Sequence, residues 1–153
     1  MSSELNEFRI NVQKIYVEMQ KNPEQGEFGE QMLDYMNRVL EQKVFTEIEQ
    51  SRFVHMMDET AELLYENSRG SLTAKRCEGI CLRHIEIKDF EVGEKWCMRL
   101  AELHPLELAA YTCKLKLYFT MNNKEAFFEA LEALKKSDVV IDHETLELIR
   151  LFS

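Results

Sequence analysis

Apolar side chains recur every three or four positions along most of this chain, the spacing expected of one buried face of an α-helix. Within residues 1–70 this pattern forms three stripes, separated by short polar or glycine-containing stretches. The stripes end before Asn22-Pro23, near Leu40 and at about Asn67, where Ser-Arg-Gly-Ser at 68–71 indicates a stop. The amino-terminal part is therefore predicted to form three helices.

The second half of the chain has the same period with shorter interruptions. Helices are expected over 73–88, 91–103, 106–121, 124–136 and 142–152, the last after an Asp142 N-cap. Val139-Val140-Ile141 is β-branched but too short for a clear strand, and we expect an apolar linker there. Short connections force neighbouring helices antiparallel, so the sequence predicts an all-α fold with seven or eight helices.

Two parts of this half repeat one pattern, because Ala74 to Pro105 aligns with the segment from Leu108 onward at an offset of 34 residues. Lys88-Asp89-Phe90 stands at the turn of the first repeat. Asn122-Asn123 stands at the turn of the second repeat, which we expect to be one residue shorter. Alanines follow at regular spacing in the second helix of the second repeat. Residues 74–136 thus resemble a divergent pair of tetratricopeptide (TPR) repeats.

The resemblance implies a right-handed stack of antiparallel helix pairs, a TPR-like α-α superhelix. Since about three such units are needed for stability, we expect residues 1–70 to supply degenerate helices and 142–152 a capping helix. The whole of 1–153 is then a single domain. Trp96 is expected to lie in its core.

The resemblance also implies a function, which is to bind a peptide or helix of a partner protein in a groove. The positions that would face this groove combine apolar and polar side chains, as a mixed peptide surface requires. They are Lys75, Glu78, Leu82, Ile85, Thr112, Lys116 and Phe119.

Charge and hydropathy restrict the partner. The chain has 19 basic and 28 acidic residues and a net charge of −9, which leaves no basic excess for phosphates and predicts no direct nucleic-acid binding. No apolar run approaches the roughly 20 residues of a membrane span, and the first residues lack signal-peptide features. We therefore expect a cytoplasmic protein whose partner is neutral or basic, with a homodimer as another state.

The candidate chemistry is confined to four cysteines and one histidine. Cys77, Cys81 and His84 share one helical face, and Cys97 and Cys113 lie on the next two helices, so a zinc site can be imagined. Free cysteines are most often buried core residues, however, and this spacing is not that of a zinc knuckle. No orienting group completes a Cys81–His84 nucleophile pair. We expect no enzyme activity, cofactor or metal.

Three other roles remain open. The stretch from His104 to Ala126, followed by 142–152, also looks like the helical-repeat region of bacterial transcriptional activators, which would make the chain a regulatory part of such a system. An acidic secretion-type chaperone has a similar size. Finally, five methionines at 19, 32, 36, 56 and 57 could form an adaptable interface, although methionine at helical spacing is more often core.

Overall fold

The computed structural model describes residues 2–22 and 25–152, and side chains from Asn6 onward. In these residues the protein is all α-helical, without strands, as predicted. The eight α-helices are α1 (Ser2–Lys21), α2 (Gly26–Leu40), α3 (Glu47–Asn67), α4 (Ala74–Glu86), α5 (Phe90–Leu103), α6 (Ala109–Thr120), α7 (Lys124–Lys136) and α8 (His143–Phe152), with a 3-10 turn at Arg69–Ser71.

The backbone divides into two compact units, residues 1–76 and 77–153, with the division inside α4. The expectation of a single domain over 1–153 stays a prediction.

Helix α2 packs against both α1 and α3 in the first unit. Phe8 and Phe53 meet edge to face with ring centroids 4.2 Å apart, and Phe45 closes the aromatic cluster 4.9 Å from Phe53. Gly29 lets α2 approach α3, because a Cβ at this position would lie 2.6 Å from Leu64 Cδ2. These contacts bury the apolar stripes that the sequence pattern identified.

The third helix begins later than its apolar stripe. Thr46 is the N-cap: its Oγ1 accepts from Glu49 N at 3.2 Å, and Glu49 Oε1 accepts from Thr46 N at 3.0 Å. This capping box satisfies two backbone donors that would otherwise lack partners, which places the start at Glu47 rather than at Phe45.

Arg76 ties the end of the first unit to α2. Its guanidinium donates to both carboxylate oxygens of Asp34 at 2.9 Å and to Ser71 O at 2.9 Å, with Glu30 Oε1 3.5 Å away. The hydrogen bond with Asp34 raises the pKa of Arg76. A bidentate geometry of this kind fixes orientation as well as distance.

The turns after α4 and α6 have the same backbone geometry, 34 residues apart. Lys88 and Asn122 both adopt the left-handed conformation, with φ of 63° and 57°. The following amides, Asp89 N and Asn123 N, each donate at 2.9 Å to the carbonyl five residues earlier. This is the Schellman arrangement that ends a helix. The second turn is as long as the first, so the expected shortening is wrong.

The second unit has a core built around α6, which packs against α5, α7 and α8. Leu115, Phe127, Leu131, Leu134 and Phe152 form its buried cluster, against which Val139 and Ile141 pack. The linker prediction for 139–141 is thereby confirmed. Trp96 is fully buried, as expected of a core residue. The Asp142 N-cap is also confirmed, because Asp142 Oδ1 accepts from Thr145 N at 2.8 Å.

Candidate functional site

A groove in the second unit lies between α4, α6 and α8 and has a volume of about 420 Å³. Its apolar lining comes from the start of α6 and from one face of α8: Leu108, Ala109, Leu148 and Leu151. Leu151 is 72% exposed. An exposed leucine beside an open groove is a surface that a ligand can cover.

Acidic side chains line the same groove. The groove carries four carboxylates, on Glu78, Asp142, Glu144 and Glu147, and one ammonium group, on Lys116. Lys116 Nζ lies 3.6 Å from Glu144 Oε1. The groove is therefore electronegative and partly apolar, and it favours ligands that bring positive charge with apolar side chains.

Two carboxylates of the groove have shifted pKa values. Burial raises the pKa of Glu78, and Cys113 and the acidic residues Glu144 and Asp142 act in the same direction, whereas Lys116 opposes them. Hydrogen bonds from Thr145 lower the pKa of the exposed Asp142. A cation placed beside Glu78 would stabilise the ionised form of this carboxyl group, so the site favours a basic ligand.

Three of the residues predicted to contact a partner line this groove: Glu78, Thr112 and Lys116. Thr112 is largely buried. Lys116 is about one-third exposed. Since both lie on α6 four residues apart, they occupy one helical face.

The other four predicted residues lie elsewhere. Leu82 is half-buried and Ile85 is buried in α4, where a Cβ added to Gly93 would lie 3.5 Å from Ile85 Cγ1. The ring of Phe119 is half-buried and packs edge to face on Phe152, with centroids 5.1 Å apart. Lys75 is exposed and belongs to the first unit.

The sequence pattern predicts only a capping role for α8, whereas in the structure this helix also lines the groove. This helix supplies five of the eleven residues that line the groove, including Glu144, Glu147, Leu148 and Leu151. The available signal was its pattern of acidic and apolar residues at spacings of three and four, which leaves Leu146 and Leu151 exposed after the core positions are filled.

Three buried cysteine thiols meet in the core of the second unit. Cys81 Sγ lies 2.7 Å from Cys97 Sγ and 3.4 Å from Gly93 O. Cys113 hydrogen-bonds with both of these thiols. These hydrogen bonds raise the pKa of Cys81 and lower that of Cys97, while burial raises the pKa of Cys77 to about 12. All four cysteines are buried, as expected of core residues, and none of them forms a disulfide.

The cysteines do not form a metal centre in this geometry. Over 2–22 and 25–152 no three His, Cys, Asp or Glu side chains are arranged to hold a metal ion. Two thiolates on one tetrahedral zinc ion sit roughly 3.8 Å apart, given a Zn–S length near 2.3 Å. The 2.7 Å between Cys81 and Cys97 is much shorter. His84 Nδ1 is engaged by Ile80 O at 2.7 Å.

The first unit has a pocket of its own, about 360 Å³ in volume, between α1 and α3. Tyr16, Met56 and Leu63 line it together with acidic residues of α3. Met32 and Met36, by contrast, are completely buried. The methionines of this half are therefore mainly core, and Met56 is the one of the five that lines a described pocket.

No protein-family model, curated protein or solved structure matches this chain. In the described part of the chain, none of the helices combines the length and the apolarity that crossing a membrane requires.

Proposed function

We propose that this chain is a non-enzymatic protein–protein interaction module that binds a peptide or helix of a partner protein. The binding site is the groove between α4, α6 and α8. The observation that carries the proposal is the composition of this groove, in which apolar side chains, among them the exposed Leu151, lie together with four carboxylates. Such a surface holds an amphipathic segment through its apolar side chains and orients it by charge.

The partner segment is basic and short. A groove of about 420 Å³ accommodates a few side chains rather than an extended protein surface. The net charge of −9 would also speed the approach of a basic partner, and it disfavours phosphate-rich ligands such as nucleic acids. The proposed setting is the cytoplasm, where the partner is a segment of another protein or of a second copy.

The proposed architecture behind the groove is a TPR-like pair of repeats, α4–α5 and α6–α7, with α8 as the cap. Two observations support it. The repeats end their first helices with the same left-handed turn, at Lys88 and Asn122. Each second helix then starts with a side-chain cap, in which Asp89 Oδ1 accepts from Val92 N and Asn123 Oδ1 accepts from Ala126 N.

The burial of Cys81 and His84, the pair considered for catalysis, supports a non-catalytic role. Both Cys81 and His84 are completely buried. A catalytic pair must be open to its substrate and have its base aimed at the thiol, whereas these two groups are closed to any reactant larger than a water-sized molecule, and His84 Nδ1 is held to the carbonyl of Ile80 on its own helix.

Peptide display on the immobilised full chain tests the proposal. Random peptides are selected for binding, and the affinities of the enriched ones are measured by fluorescence anisotropy. We expect enrichment of lysine or arginine with apolar residues at helical spacing. Leu151→Asp should weaken their binding about tenfold or more, as loss of a central apolar contact does.

The matched control is Val140→Asp, which adds the same charge at a residue that is 84% exposed and lies outside the groove lining. It should leave affinity within about twofold, since a single remote surface charge contributes little. Enriched peptides that bind Leu151→Asp and Val140→Asp equally well would show that the groove is not the binding site.

A further inference from the structure

We propose that Cys81 and Cys97 are a redox modification site, at which hydrogen peroxide converts the two thiols into a reversible disulfide linking α4 to α5. The site is independent of the groove and of the partner proposed above. It rests on the arrangement of three thiols contributed by three successive helices of one unit.

The distance between the two sulfurs favours this pair. At 2.7 Å, Cys81 Sγ and Cys97 Sγ are closer than two sulfur atoms in ordinary contact. A disulfide bond is about 2.0 Å long, so a small displacement of either side chain brings them to bonding distance. The two helices are in close contact here, since Cys81 Sγ also lies 3.4 Å from the carbonyl oxygen of Gly93, one turn before Cys97.

The third thiol decides which sulfur reacts first. Cys97 receives hydrogen-bond support from both Cys113 and Cys81, and this favours its thiolate over those of its neighbours. A thiolate is the form that attacks peroxide. Cys81 then stands in position as the resolving thiol, in direct contact with the atom that has been oxidised.

The chemistry balances with peroxide as the sole oxidant. Cys97 thiolate attacks one peroxide oxygen, the O–O bond breaks, and the departing hydroxide takes up the proton that Cys97 released. Cys81 then attacks the sulfenic sulfur; the S–S bond forms, the S–O bond breaks, and the leaving hydroxide takes the Cys81 proton. Two thiols lose two electrons, and one peroxide becomes two waters. A thiol reductant restores both cysteines by exchange.

Oxidation would link two helices of the unit that contains the groove. Cys81 lies one turn after Glu78 and directly before Leu82 on α4, so the bond would fix this helix against α5 close to the groove. Peroxide is nearly as small as water, which makes it the oxidant best suited to completely buried sulfurs.

The experiment treats the native full chain with hydrogen peroxide, then unfolds it and alkylates the remaining thiols for mass spectrometry. We expect two of the four cysteines to escape alkylation, with a mass lower by two hydrogens and full recovery after reduction. Cleavage after Glu78 separates Cys77 from Cys81, so peptide mapping of the wild-type protein identifies the linked pair without any variant.

Two variants supply the controls. Cys97→Ala should abolish the disulfide, whereas Cys77→Ala should leave it unchanged; circular dichroism verifies that each is folded. Four alkylated thiols after treatment, sulfinic acid at Cys97 without a disulfide, or a bond that maps to Cys113 or Cys77 would each overturn the proposal. The wild-type map decides the question even if a variant fails to fold.

Discussion

Replacement of Phe152 by alanine is the perturbation that best tests how α8 is held in place. Phe152 is 9% exposed, and its ring lies 4.7 Å from that of Phe127 and 5.1 Å from that of Phe119. Lys124 Nζ lies 5.7 Å from the same ring. The side chain thus joins α8 to α6 and α7 at the end of the chain.

The magnitude follows from these contacts. Truncating a buried phenylalanine to alanine costs about 3–5 kcal/mol, through lost burial and the cavity that remains. Two edge-to-face ring pairs add stability beyond burial, roughly 0.5–1.5 kcal/mol each, but a helix of 10 residues can shift into the space and recover part of it. We expect Phe152→Ala to lower the free energy of unfolding by about 3 kcal/mol.

The loss should be concentrated in α8. A helix of 10 residues has little stability alone, so without its anchor it should open while the rest of the unit stays folded. Chemical denaturation measures the free energy, and hydrogen exchange measures the protection of 143–152 separately. Peptide binding in the groove should disappear together with this protection, because Leu148 and Leu151 are carried by the same helix.

Leu146→Ala is the matched control on α8, since Leu146 is 51% exposed and does not line the groove. It should cost under about 1 kcal/mol, as surface substitutions usually do. The reasoning is refuted if Phe152→Ala costs no more than Leu146→Ala, or if α8 keeps its exchange protection in the Phe152 variant.

Three further predictions concern stability. Gly29→Ala should destabilise by about 1 kcal/mol, since overpacking against α3 outweighs the gain in helix propensity, whereas Gly70→Ala, with no atom within 4 Å of the added Cβ, should be near neutral in urea unfolding. Trp96→Ala should cost about 3–5 kcal/mol by the same assay, and a loss below 1 kcal/mol would mean that the site is not packed core. The hydrogen bonds that lower the pKa of Asp142 stabilise the folded protein above the ordinary pKa of this carboxyl group, and this stability is lost as the pH falls through the lower folded-state pKa. Asp142→Asn keeps an oxygen for the cap and should make the free energy of unfolding depend less on pH below about pH 4. An unchanged dependence on acid pH would contradict this.

Helix positions were largely predictable, because they depend on neighbours within one or two turns. The boundaries of α7 match the expected 124–136, where Asn123 caps the start. Helix α6 begins at Ala109 rather than at Leu106, since the backbone after Pro105 first makes a turn in which Glu107 N donates to His104 O. Such errors of a few residues arise where capping competes with apolar periodicity.

The candidate groove was only partly predictable. Helical periodicity places Thr112 and Lys116 on one face of α6, and both line the groove. The same periodicity puts Phe119 near them, yet its ring packs on Phe152, because α8 covers that part of α6. Which side of a helix stays open depends on where the next helix lies, and no local pattern contains that information.

The all-α class, the approximate helix positions, the Asp142 cap and the burial of the cysteines could be predicted from the sequence, since these follow from side-chain period, local hydrogen bonding and transfer from water. The packing of α8 beside α4 and α6 to line a groove could not be predicted in this way, and neither could the 2.7 Å between Cys81 Sγ and Cys97 Sγ. The difference lies in the distance along the chain over which each effect acts. Propensity and capping act within a few residues, whereas grooves and thiol contacts depend on how whole helices cross, which is set by the packing of many side chains at once.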